Sequence, residues 1–492
     1  MGVLSIDAGT TSVTASIVNP NGVVAARASG EFPQHFPADG WVEHDPKDIW
    51  RATLDAARTA LAATDEPVPA LGITNPRETI AFWDRETLGS PRRAIVWQDR
   101  RTAGTCEQLR QDGHEAWVRE RTGLRLDPYF SATKLHWVAH NDPRTWSGVQ
   151  AGRVAVGTID SYLIARMTRG LHHVTDPSNA SRTLLYDIHA GAWSPELCEL
   201  FGVPMGALPE VVASYGVVGR TDPTTFLGLE VPIAGIAGDQ QAALFGQTAF
   251  AAGQSKCTYG TGSFVLTNTG QTPVSSHAGL LSTVAWGAPD GRLTYALEGA
   301  IFVTGAAIQW LRDGLGIIDD AAQSEPLARS VDDSAGLVFV PALTGLGAPD
   351  WDPLARGMVI GITRGTTAAH LARATLEAIT YEVRDVVDLM TQEAGVELRT
   401  LAVDGGASAN DLLCQLQADQ LGVPVRRPRV VETTGLGAAF LAGLGTGVWS
   451  STDELASTWS LDHEFTPGER DDGAYRRWRN AVERTKGWAA SD

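Results

Sequence analysis

Cysteine is scarce. Only Cys106, Cys198, Cys257 and Cys414 occur in 492 residues, far apart and with no Cys-x-x-Cys pair. That excludes a disulfide scaffold, disfavours a structural zinc site, and suits free thiols in a reducing cytosol. Long apolar runs are missing too. No stretch approaches the ~20 apolar residues that span a bilayer, so no membrane insertion is expected. The N-terminus lacks a basic segment ahead of an apolar core and enters a strand-like run at once, Val3-Leu4-Ser5-Ile6. No signal peptide is expected, and the cytoplasm is the expected compartment. Basic clusters are absent as well. Lys and Arg total 39 against 57 Asp and Glu, a net charge of −18, and basic runs are short, such as Arg100-Arg101. A nucleic-acid binder carries a basic face, so this balance argues against nucleic acid as a partner.

What is present describes a globular protein with 43% hydrophobic and 20% charged residues. The length is too great for one core, so two large domains or a few smaller ones are expected. The run Val3 to Ile6 reads as a strand that ends at Asp7-Ala8-Gly9-Thr10-Thr11-Ser12, followed by a second strand, Val13 to Val18. Strand, Gly-Thr-Thr turn and strand make a β-hairpin whose amides and hydroxyls can cradle a phosphate. A similar hairpin recurs half a chain later, as Cys257-Thr258-Tyr259-Gly260-Thr261-Gly262-Ser263 leading into Phe264 to Asn268. Two such turns suggest two related halves that face each other, joined near Gly246 to Gly253. Asp48 to Ala63 has helical periodicity, with Ile49, Leu54, Ala57 and Leu61 on one side. The C-terminal region from Ser450 reads as a peripheral helix.

Three further segments carry polar chemistry to strand ends. Val231 to Ile236 is apolar and stops at Ala237-Gly238-Asp239-Gln240-Gln241. Open α/β sheets place their ligands at such ends. Leu71-Gly72-Ile73 stops at Thr74-Asn75-Pro76-Arg77-Glu78-Thr79. Leu401-Ala402-Val403 stops at Asp404-Gly405-Gly406, after which a helix is expected over Asp411 to Leu421, its N-terminus favouring an anion such as a nucleotide phosphate. Each segment alone is ordinary, since Gly-Asp and Gly-Thr pairs are mostly turns. Together, in this order, they meet the needs of phosphoryl transfer from a nucleotide: phosphate cradles, a metal and a positioned acceptor. Gly9 to Ser12 and Gly260 to Ser263 are the cradles. Asp7 and Asp239 are the carboxylates for Mg²⁺, directly or through water. Asp239 is the better general base.

The chain resembles the FGGY carbohydrate kinases, and among them the members that phosphorylate glycerol. The likeness is carried by Gly40-Trp41-Val42-Glu43-His44-Asp45-Pro46, by Asn75 with Arg77-Glu78-Thr79, and by Ile95-Val96-Trp97-Gln98-Asp99-Arg100-Arg101. Tyr129 to Trp137 is similar to the first family signature and Gly357 to Glu377 to the second. Val174-Thr175-Asp176 with Ser178 to Thr183, and Tyr295-Ala296-Leu297-Glu298-Gly299, match as well. The resemblance implies an α/β fold of two actin-like, ribonuclease-H-like domains with an interdomain cleft. Residues 1–247 would supply the substrate groups and the first phosphate turn, and residues 248–492 the nucleotide site. It implies Mg²⁺- and ATP-dependent phosphorylation of glycerol to sn-glycerol 3-phosphate by a homodimer or homotetramer. Asp239 would be the base. Arg77, Glu78, Tyr129, Asp239 and Gln240 would meet the hydroxyls, and Trp97 and Phe264 would pack on the carbons. Thr10, Thr11, Ser12, Thr261, Gly262, Gly305, Gln309, Gly406 and Asn410 would line the nucleotide.

Departures from the family pattern concern rate and substrate. The first turn reads Asp7-Ala8-Gly9-Thr10-Thr11-Ser12-Val13-Thr14, without the Gln and Arg that many relatives carry. Loss of that Arg lowers the rate or hands its task to another residue. Pro76 replaces a Gln and restrains Asn75. Asp350 stands where Tyr or His is common. The loop that binds fructose 1,6-bisphosphate in enteric relatives reads Gly228-Leu229-Glu230 here, and Glu230 would repel an anion. Two alternatives remain: a kinase for another small polyol or ketose, and a non-catalytic actin-like ATP sensor. The sensor would have no need of Arg77, Glu78, Asp239 and Gln240 together.

Overall fold

A strand buried along nearly its whole length needs cover on both faces. Val3–Ala8 is such a strand, with Asp7 alone left partly accessible. The computed structural model, which describes residues 1–395 and 397–491, covers it with helix Pro46–Ala62 on one face and helix Thr433–Thr446 on the other. Asp45 caps the first of these, its carboxylate accepting from the Lys47 N–H, and Pro46 opens the helix. Its buried face holds Ile49 and Ala57 as the periodicity predicts, with Trp50, Thr53, Ala56 and Ala60. Leu54 and Leu61 sit at the rim of the core rather than in it.

Val3–Ala8 lies within a six-stranded sheet. Its strand order from one edge is Tyr215–Arg220, Pro232–Gly238, Leu71–Asn75, Val3–Ala8, Ser12–Val18 and Val24–Glu31. The three central strands are parallel and the outer ones antiparallel. A second sheet of seven strands repeats the plan: Leu461–Phe465, Val425–Pro428, Leu401–Asp404, Ser255–Tyr259, Ser263–Gly270, Leu293–Ile301 and Leu281–Gly287. Here too a hairpin pairs with a parallel strand, Ser255–Tyr259 beside Leu401–Asp404. The expected α/β fold is therefore present, with an Asp-Gly-Gly loop and a helix over Asp411–Leu421 in the second half. The region from Ser450 is richer than a peripheral helix. It adds the edge strand Leu461–Phe465 before helix Asp472–Thr485. Its first three residues are exposed, so it lacks the apolar run that marks a strand in sequence.

Helix Thr433–Thr446, late in the chain, packs on the first sheet and on helix Asp239–Gly246. Glycines let the backbones touch. A Cβ on Gly72 would fall 2.0 Å from the Ala438 carbonyl oxygen, and one on Gly437 would fall 1.8 Å from that of Ala242. A larger residue at either position would push the helix off the sheet. Among the described residues, no helix is long and apolar enough to cross a membrane.

Candidate active site

Side chains from separate segments meet because the parallel strands end together. Asp7 and Ala237 both pair with Thr74, and Gly238 pairs with Asn75. The carboxyl ends therefore deliver the Gly9–Thr11 turn, the Pro76-Arg77-Glu78 segment and Asp239 to one edge. Asp239 is the first residue of helix Asp239–Gly246. Gly238 makes room for its neighbour, since a Cβ there would lie 2.4 Å from Arg77 Cγ.

Arg77 is the hub of a buried ion network. Its Nη1 and Nη2 donate to the two carboxylate oxygens of Glu298, the second at 3.1 Å. Nη2 also donates to the Tyr129 hydroxyl at 3.1 Å, and Nη1 to Gln241 Oε1 at 3.3 Å. Arg182 bridges the other way, Nε to Glu78 at 2.8 Å and Nη2 to Glu298 at 2.7 Å. Burial opposes the charge on Arg77, but Glu298, Tyr129, Glu78 and Asp239 outweigh it and hold its pKa above the usual value. Burial likewise opposes the Glu298 charge, and Arg182 and Arg77 win, so Glu298 stays ionised. Burial, reinforced by Glu78, pushes the Tyr129 phenol far up, leaving a neutral hydroxyl with a proton to donate. Arg77 Nε, though buried, has no hydrogen-bond partner. It lies 3.3 Å from Asp239 Oδ1 and 3.6 Å from Glu78 Oε1.

Asp239 is raised to about 6, chiefly by burial, with Arg77 opposing and Glu78 adding. Asp7 is raised to about 7 by burial, then by Asp239 and Glu432, with Arg27 opposing. Two buried carboxylates, one of which raises the other, are a fit for a divalent cation that arrives with phosphates and keeps several waters. No cluster of three or more His, Cys, Asp or Glu in ligand geometry occurs among the described residues. The pair therefore suits Mg²⁺ shared with a nucleotide rather than a fully protein-made metal cage. Behind Gln240 stands Lys256, fully buried, its pKa lowered by burial against the pull of Asp404. It donates to Gln240 Oε1 at 2.6 Å and Thr258 Oγ1 at 2.7 Å. An ammonium has no acceptor, so it fixes the Gln240 oxygen and turns the amide NH₂ away from itself.

A cavity of about 170 Å³ is walled by Arg77, Glu78, Trp97, Tyr129, Asp239, Gln240 and Phe264, with Thr10, Pro76 and Gly262. Trp97 donates through Nε1 to the Thr10 hydroxyl at 3.0 Å and meets Tyr129 edge-on, ring centres 5.6 Å apart. A second cavity of about 360 Å³ is walled by Thr261, Gly305, Gln309, Gly406 and Asn410. Gly260 and Thr261 belong to both walls. Thr11, Ser12 and Asp7 line neither cavity. Glu298, Arg182 and Lys256 were not among the residues the sequence singled out for chemistry. Glu298 and Arg182 do lie in two of the segments that carry the family likeness.

The departures have structural outcomes. Thr14 pairs its hydroxyl with that of Ser29 at 2.8 Å. Asn75, ahead of Pro76, donates its amide to the Pro76 carbonyl at 3.2 Å and to Asn179 at 3.0 Å, and Arg77 and Glu78 still join the network. Asp350 holds Lys486 at 2.7 Å and Arg479 at 3.1 Å, anchoring the C-terminal helix.

Comparison with known proteins agrees with this architecture. The N-terminal domain model of the FGGY family of carbohydrate kinases matches residues 2–246, and the C-terminal domain model matches residues 255–446. The glycerol kinase of Symbiobacterium thermophilum is 53% identical over 494 residues, covering 99% of each chain. Glycerol kinase 2 of Thermotoga maritima is 51% identical over 492 residues, also covering 99% of each. The crystal structure of Plasmodium falciparum glycerol kinase with ADP superposes with a TM-score of 0.90 at 33% identity, covering 98% of each chain. This chain belongs to the FGGY family of carbohydrate kinases.

Proposed function

We propose that this enzyme transfers the γ-phosphoryl group of Mg-ATP to a terminal hydroxyl of glycerol, releasing sn-glycerol 3-phosphate, ADP and a proton. The observation that carries the reading is the pair of cavities joined through the Gly260-Thr261 turn. A phosphoryl group held at that turn from the larger cavity faces the hydroxyl held in the smaller one. The smaller cavity, about 170 Å³, is below the roughly 300 Å³ at which drug-sized sites begin. It suits a polyol of three or four carbons. Full-length identity above 50% to proteins named glycerol kinase supports glycerol within that range.

The orphaned Arg77 Nε supports the same orientation. A substrate hydroxyl beside this pair accepts from Nε and donates to the Asp239 carboxylate, whose Oδ1 lies 3.3 Å from Nε. Asp239, mostly ionised at pH 7, takes the proton as the oxygen attacks phosphorus. Tyr129 and the Gln240 amide donate to further hydroxyls, Glu78 accepts, and Trp97 and Phe264 give the carbons an apolar wall. Asp7 and Asp239 are the groups that would hold Mg²⁺, which when bound neutralises phosphate charge. Residues 1–247 bring the base and most substrate contacts, residues 248–492 the nucleotide wall. The assembly would be a homodimer or homotetramer in the cytoplasm, where the four buried, unpaired cysteines would stay reduced. Light scattering decides the assembly.

The test is ADP release from Mg-ATP with glycerol, dihydroxyacetone, erythritol, xylulose and ribulose. Glycerol is expected to give the highest kcat/KM. Preference for a longer polyol would move the substrate and implicate Pro76 in the wall. ATP binding without turnover on any of them would overturn the enzyme reading.

A further inference from the structure

Two arginines from the first half of the chain rest on two aromatic rings from the second, close to the substrate cavity. Arg100, three residues past Trp97, places its guanidinium carbon 5.6 Å from the centre of the Phe302 ring. Arg125 lies over Trp351 at 5.5 Å, and Trp351 meets Phe302 edge-on at 5.9 Å. Neither arginine takes part in the chemistry described above.

Each side of this contact is tied to one reactant. Arg100 Nη1 donates to Asp127 Oδ1 at 2.7 Å, and the same oxygen accepts from the Tyr129 N–H at 2.8 Å. Tyr129 in turn accepts from Arg77 inside the cavity. The cation is thus oriented by the carboxylate that fixes the substrate-side wall. On the other side, the Phe302 backbone lies directly against the phosphate turn. A Cβ on Gly262 would fall 2.2 Å from the Ile301 carbonyl oxygen and 3.0 Å from the Phe302 carbonyl carbon. Two residues on, Thr304 N–H donates to the Thr261 carbonyl at 2.9 Å and Gly305 N–H to that of Gly260 at 3.0 Å.

We propose that Arg100 and Phe302 form a cation–π latch across the cleft, with Arg125 and Trp351 as its outer contact, and that Arg100 positions the glycerol wall when the cleft closes. Through Asp127 and Tyr129 on one side and Gly262 on the other, the latch sets the glycerol wall against the phosphate turn. Its chemistry suits a contact made and broken in each turnover. A weakly hydrated guanidinium on a ring face binds modestly, and it adds no anion beside the phosphates. Lids that close on substrate and open for product work with such margins. The proposal rests on the kinase reading given above.

The test compares wild type with Arg100→Ala, Arg100→Lys, Phe302→Leu and the Arg100→Ala/Phe302→Leu double variant. Glycerol KM is expected to rise about three- to fivefold in Arg100→Ala and Phe302→Leu, with kcat within about twofold. The double variant is expected to be no worse than the worse single, because both remove one contact. Arg100→Lys keeps a cation over the ring and is expected to recover part of the loss. Small-angle scattering with glycerol and ADP should find the wild type more compact than either single variant. Unchanged KM in both single variants, additive losses in the double, or equal compactness would each overturn the latch. Phe302→Leu keeps an apolar side chain of similar size, so it carries the test if Arg100→Ala does not fold. A wild type that fails to phosphorylate glycerol would sink the functional reading instead, and the scattering comparison would still decide the latch.

Discussion

Glu298→Gln removes one negative charge from the buried cluster and leaves its shape almost unchanged. Glu298 accepts two hydrogen bonds from Arg77 and one from Arg182, and all three side chains are at most 1% exposed. Two guanidiniums now face Glu78, Glu298 and Asp239; in the variant they face only Glu78 and Asp239. The new amide also points an NH₂ at one guanidinium, donor against donor, so at least one hydrogen bond is lost. Removing one partner of a fully buried ion pair costs about 3–5 kcal/mol, with no relief from solvent. At about 2–4 °C per kcal/mol for a domain of 150–250 residues, Tm should fall by roughly 6–20 °C. The loss measures buried guanidiniums left short of acceptors and not the net worth of the network, which an apolar replacement of all its members need not share. Activity should change as well. Arg77, short of one partner, turns toward Asp239 and holds its carboxylate lower. Glycerol KM is expected to rise roughly tenfold, the equivalent of one charge-assisted hydrogen bond. Differential scanning calorimetry and initial rates check both. A Tm within about 2 °C of wild type together with an unchanged KM would refute the reasoning.

Asp239→Asn should nearly abolish turnover while ATP still binds by calorimetry; near-normal rates would remove Asp239 from the base role. The pH profile has a definite sign. Asp239 acts when deprotonated and burial raises it to about 6, so kcat/KM for glycerol should climb through pH 6 and level off above about 7. A profile flat down to pH 4.5 would contradict this. Fructose 1,6-bisphosphate at millimolar concentration should leave the rate unchanged. Glu230 repels it and also occupies Arg220, holding Nε at 3.1 Å and Nη2 through its carbonyl at 2.9 Å. Clear inhibition would show that the loop rearranges.

Local signals carried much of the site. The Gly-Thr turns, the apolar run into Asp239 and the Asp-Gly-Gly junction before Asp411–Leu421 all obey short-range rules of strand ends and helix starts, so they could be read in order. The family wording then pointed to Arg77, Glu78, Trp97, Tyr129, Gln240 and Phe264, which share one cavity wall. The buried supports were not legible. Glu298 lies 221 residues from Arg77, and a charged residue in sequence looks the same whether it is solvated or sealed under a sheet. Lys256 is hidden for the same reason: it sits in a strand whose alternation says only that one face is covered. The edge strand Leu461–Phe465 escaped because its pairing with Val425–Pro428, rather than any apolar run, defines it.

The Gly260-Thr261 turn is a party wall. Both pockets press on the same two peptide units, and those units are pinned to the start of the Gly305–Gln309 helix by N–H bonds from Thr304, Gly305 and Ala306. A ligand on one side that stiffens the wall changes the welcome on the other, and linkage makes the effect mutual: whatever factor the nucleotide lends to the polyol, the polyol returns. The two dissociation constants are therefore expected to be coupled, and a substitution made to alter taste for one reactant should be felt in the grip on its companion.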